Sequence, residues 1–66
     1  MPRYPDINVR LHSRNPLALV SAVRAEMRLH HVDPVEIQRF TSQAMSADDP
    51  REVRDVCAQW ARVALV

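Results

Sequence analysis

Sixty-six residues make one small domain and no more, because a chain of this length buries only roughly 60% of the surface its unfolded form exposes. With no glycine, no lysine, one cysteine and 47% hydrophobic residues, the composition excludes collagenous, linker-like and disulfide-stapled classes. The formal charge of +1 is uneven: residues 1–31 carry five Arg against Asp6 and Glu26, whereas residues 32–66 carry four Arg against six acids, so the halves are +3 and −2. That asymmetry suits an acidic partner or head-to-tail self-association, although an all-Arg basic complement also follows from GC-rich coding.

The opening residues, Met1-Pro2-Arg3-Tyr4-Pro5-Asp6, hold no apolar run of signal-peptide length, and no stretch nears the roughly 20 apolar residues that span a bilayer. The expectation is one cytoplasmic domain over residues 1–66, with 1–6 as a flexible N-terminal segment and no membrane contact. Ile7-Asn8-Val9-Arg10-Leu11-His12 then alternates apolar and polar residues and is rich in β-branched types, which predicts a strand with one buried face.

Three helix starts follow. Asn15-Pro16, Asp33-Pro34 and Asp49-Pro50 each set an N-cap side chain, able to accept from the free amides of a first turn, before a proline whose fixed φ suits the first helical position. Helix one is predicted from Pro16 to about His30, with Val20, Val23 and Met27 on one face and Leu19, Ala22 and Leu29 widening it. Helix two, from Pro34 to about Met45, turns Ile37, Phe40, Thr41 and Ala44 inward and leaves Glu36, Gln38, Arg39 and Gln43 for solvent. Helix three, from Pro50, places Val53, Val56, Cys57 and Trp60 at core spacing. Glu36 and Glu52 stand at N3, where each can reach back in capping-box fashion, and Val32 can staple onto Ile37. Phe40 and Trp60 read as packing residues rather than a stacking platform.

The first strand needs a partner for its amides, and the other strand-like segment is Arg62-Val63-Ala64-Leu65-Val66. The expected fold is therefore α+β and mainly helical, β-α-α-α-β, with three helices packed on a small two-stranded sheet. The alternative runs helix three on through Val63 and Ala64, leaving a three-helix bundle whose first strand pairs with its copy across a dimer axis.

Ile7-Asn8-Val9-Arg10-Leu11, the Asn15 turn, an alanine-rich first helix with Val23 and Arg24, then Val32, Ile37, Phe40, Ala44, Ser46, Trp60 and Val63 together resemble a family of short, uncharacterised bacterial and phage-borne proteins of about this length. The likeness rests on spacing and core residues, and it implies a shared fold without an activity. Two turns depart from the family pattern. Ser13-Arg14-Asn15-Pro16 stands in place of a Gly-containing Asp-Gly-Asn turn, and Ala47-Asp48-Asp49-Pro50 in place of Gly-Asp-Tyr-Asp.

Without glycine, a P-loop, a dinucleotide-binding turn, an EF-hand loop and a nucleophile elbow are all missing, since each needs Gly where backbone approaches a ligand or adopts positive φ. His12, His30, His31 and Cys57 lack metal-ligand spacing, and histidines closing a helix interact favourably with the negative end of its dipole. Cys57 sits in the core stripe of helix three. Asp33, Glu36, Asp49 and Glu52 have capping roles, Asp48 and Asp55 read as solvated, and a domain this small leaves little room for a pocket of several hundred Å³. No enzyme activity, cofactor or metal is expected.

What remains is a protein–protein interaction or self-association module, its partner another protein or a second copy, suggested by the exposed strand edge and the broad apolar surface of helix one. The alternative is an accessory nucleic-acid-binding protein that uses Arg3, Arg10, Arg14, Arg24 and Arg28 as a basic face along strand one and helix one. Against a helix-turn-helix use, helix three opens with Asp48, Asp49 and Glu52, which repel phosphate.

Overall fold

A computed structural model describes all residues 1–66 and orders them as β1 (Tyr4–Leu11), α1 (Pro16–Leu29), α2 (Pro34–Met45), α3 (Pro50–Trp60) and β2 (Ala61–Leu65). The predicted β-α-α-α-β order holds, and the sheet closes within one chain. β1 and β2 run parallel, with Val9 opposite Val63 and Leu11 opposite Leu65, and the Val66 amide donates to the Leu11 carbonyl at 2.9 Å. Helix three therefore stops at Trp60, and the dimeric three-helix bundle is not the form adopted. The change from helix to strand takes a single residue: Ala61 is extended at φ −146 and ψ 165 and is buried against the core.

β1 begins three residues earlier than the alternation predicts. Residues 4–6, expected within a flexible segment, belong to the sheet, and the Arg3 amide donates to the Gln59 carbonyl at 2.8 Å. The register slips between Tyr4 and Asn8, an interval that contains Pro5, which has no N–H to give to a ladder.

The three N-caps form as their sequences predict. Asn15 Oδ1 accepts from the Leu17 amide at 2.9 Å, Asp33 Oδ1 from Val35 at 2.8 Å and Asp49 Oδ1 from Glu52 at 2.9 Å. Glu52 reaches back to the Asp48 amide at 3.0 Å, one residue before the cap. Glu36 makes no such bond and is used elsewhere.

Ile7 and Val9 of β1 meet Leu19, Val20, Val23 and Met27 of α1, Ile37, Phe40 and Ala44 of α2, and Cys57, Trp60 and Ala61 in one core. The helices α1 and α3 lie against the sheet, and α2 packs chiefly on those two helices. Leu29, expected to widen the buried face of α1, is 70% exposed, because it stands two residues beyond Met27 and so points to the far side of the helix. No helix is long and apolar enough to cross a membrane.

Candidate functional site

The turn between α1 and α2 builds the most distinctive surface. The Val32 amide donates to the Met27 carbonyl and the His31 amide to the Arg28 carbonyl, each at 3.0 Å, the paired bonds of a Schellman closure. This closure requires a left-handed residue after the cap, ordinarily glycine, and the chain puts His31 there at φ 58. Val32 is thereby folded back toward the core, and Asp33-Pro34 starts α2 at once.

Between the two helices lies an open groove of ≈ 850 Å³. Val32, Ile37 and Met45 supply its apolar lining, with Met45 62% exposed. Arg24 and Arg28, one turn apart on α1, and His31 supply nitrogen donors, while Gln38, Thr41 and Ser42 line the α2 side. The Thr41 hydroxyl is already committed to the Ile37 carbonyl at 2.7 Å. No carboxylate lines the groove. Arg24 and Arg28 take part in none of the chain's ion pairs, which join Arg3 and Arg39 to Glu36 and His30 to Glu26. Arg24 is partly buried, and its Nε is covered without any protein group to accept from it. The sequence leaves little room for a pocket of several hundred Å³ in so small a domain, and this groove finds its space between two helix surfaces, outside the core. Chemically it suits a ligand that combines apolar surface with an anionic group. It contains no hydrogen-bonded Ser–His pair and no carboxylate to act as a base.

The remaining arginines of the expected basic face lie elsewhere. Arg3 pairs with Glu36 and its guanidinium sits 5.1 Å from the centroid of the Trp60 ring. Tyr4 Oη donates to Glu36 Oε1 at 3.1 Å, and Arg39 Nη1 lies 3.3 Å from Glu36 Oε2. Glu36, predicted to face solvent, is thus a 15% exposed acceptor for three groups, two of which, from Arg3 and Tyr4, tie the N-terminus to α2. Trp60 stacks on Tyr4 at 6.1 Å, meets Phe40 edge-on at 5.9 Å and donates its Nε1 to Gln43 Oε1 at 2.8 Å. Gln43, also predicted for solvent, is what satisfies the indole. Arg10 shares the outer face of the sheet with Asn8 and Arg62, and Arg14 is exposed in the β1–α1 loop. Of the five, only Arg24 and Arg28 are gathered into one concave site.

No group of three or more His, Cys, Asp or Glu side chains is placed to hold a metal ion. Cys57 is fully buried, and burial pushes its thiol from 9.0 to about 11, which leaves it protonated and unreactive at neutral pH. Comparison with protein-family models, with curated proteins and with solved structures finds no match for this chain.

Proposed function

We propose that the chain is a small cytoplasmic protein-interaction module and that the α1–α2 groove is its docking surface. The observation that carries this reading is the pairing, in one concavity, of an apolar lining with two arginines that no acid of the chain neutralises. Interfaces draw most of their energy from a few desolvated anchors, among which Arg is enriched, and exposed Met adapts to a partner's shape. The left-handed His31 at the rim adds support, because backbone strain held by a non-glycine residue concentrates at working surfaces.

A photo-crosslinking residue at Gln38, in the groove, and another at exposed Ala58, on α3, test the reading in native-host cells. One discrete protein adduct at Gln38 and none at Ala58 is the expected result. Equal labelling at both positions, or none at Gln38, rejects it.

The second reading, accessory nucleic-acid binding, draws on Arg10 and Arg62 beside Asn8 on the exposed sheet face. Affinity for random DNA or RNA that falls steeply with salt supports it, and no binding at low salt removes it.

A further inference from the structure

We infer that the occupant of the groove is an acidic amphipathic helix of a partner protein, an inference that rests on the docking reading above. Charge is the first argument. Arg24 and Arg28 lie one turn apart with His31 beside them, no carboxylate lines the groove, and Glu26, one acid near them in sequence, is engaged by His30 at 3.9 Å. The groove therefore calls for negative charge from outside the chain.

Shape is the second argument. The walls are helix stripes with one-turn spacing, Arg24 and Arg28 on one side and Gln38 and Ser42 on the other. A third helix laid between two such stripes repeats that spacing with its own side chains, as helix-in-groove recognition does. The matching sequence carries two carboxylates one turn apart and, on the adjoining stripe, aliphatic side chains for Val32, Ile37 and Met45.

The apolar lining is what favours a protein segment over nucleic acid. A phosphate backbone has nothing to place against Ile37 and Met45, and two arginines neutralise few phosphates. Arg24 adds a further indication: its covered Nε has no acceptor within the chain, and a carboxylate brought to the groove by a partner would supply one.

The test titrates isotope-labelled full-length protein with three lactam-stapled helical peptides of about 15 residues, long enough to hold a helix. One bears a turn-spaced Glu pair beside a Leu stripe, the second replaces Glu by Lys, and the third replaces Leu by Ser. A single-stranded oligonucleotide is the fourth probe. The Glu/Leu peptide is expected to shift the amides of Arg24, Arg28, Ile37, Ser42 and Met45 and saturate, with the Lys and Ser peptides at least tenfold weaker. Arg28→Glu, at an exposed position, is expected to weaken the Glu/Leu peptide at least tenfold, and the Arg24→Glu, Arg28→Glu pair to prefer the Lys peptide. A Lys peptide that binds as well as the Glu peptide overturns the inference while leaving a docking groove. An oligonucleotide that shifts the same amides in place of the peptide overturns it in favour of nucleic acid. Groove amides that shift with protein concentration alone, together with a sedimenting dimer, give the site to a second copy. Silence from every probe at millimolar concentration removes both the inference and the groove's docking role.

Discussion

A chain with no glycine must still close its helices, and at the end of α1 the left-handed position falls to His31 at φ 58. A Cβ in that conformation costs roughly 1 kcal/mol, part of which a glycine recovers and part of which it loses again to greater freedom in the unfolded chain. His31→Gly is therefore expected to raise stability by about 0.5 kcal/mol in urea denaturation, and a loss of stability would show that the imidazole makes a compensating contact. Cys57 gives the residue scale its pH signature. Its folded pKa of about 11 stands above 9.0, so the folded state keeps the proton longer than the unfolded one. The contribution is fully present below pH 9, declines as pH rises from 9 to about 11, and amounts to at most about 3 kcal/mol. Denaturation midpoints at stepped alkaline pH should fall more for the native chain than for Cys57→Ala, and parallel curves would remove Cys57 as the cause.

At the scale of the elements, each helix start was legible because its signal is local. An Asx residue before proline needs only the next turn to make its bonds, and all three form. The caps are not equivalent. Asp49 works with Glu52, whose carboxylate also takes the Asp48 amide, whereas Asp33 works alone because Glu36 has been drawn away by Tyr4 and Arg3. Asp33→Ala should cost about 1 kcal/mol, and Asp49→Ala somewhat more, since it also loosens the Glu52 side of the box. Helical content and urea midpoints of the two variants check the order, and equal losses would mean that Glu52 adds nothing. Periodicity assigns Glu36 to solvent, yet a phenol from position 4 crosses the fold to it and leaves it only 15% exposed; Gln43 is exposed as predicted, and only its bond from the indole of Trp60 escapes the helix period. The groove was hidden because it needs tertiary placement: in the sequence Arg24 and Arg28 join Arg3, Arg10 and Arg14 in one basic face, and only α2 set beside them without an acid separates them into a concave site.

For the whole molecule, the decisive contact joins the two ends of the chain, with Val9 beside Val63 and the Arg3 amide on the Gln59 carbonyl. β1 has no other strand to pair with, and its buried Ile7 and Val9 face the helices that β2 helps to hold in place. Parallel closure over nearly the full length brings a large loop entropy before its bonds form, so the domain should fold more slowly than a three-helix bundle of equal size. The same geometry makes β2 indispensable. Removing residues 62–66 deletes few buried side chains, since Ala61 and Trp60 remain and Leu65 and Val66 are exposed. It nevertheless removes the partners of Asn8 to Leu11 in β1, and a small domain with a modest stability margin has little to offset that loss. The truncated chain is expected to lose its cooperative thermal transition while keeping part of its helical circular dichroism. A sharp transition in the truncated chain would show that the helices alone sustain the core and that the sheet is an ornament on a self-sufficient bundle.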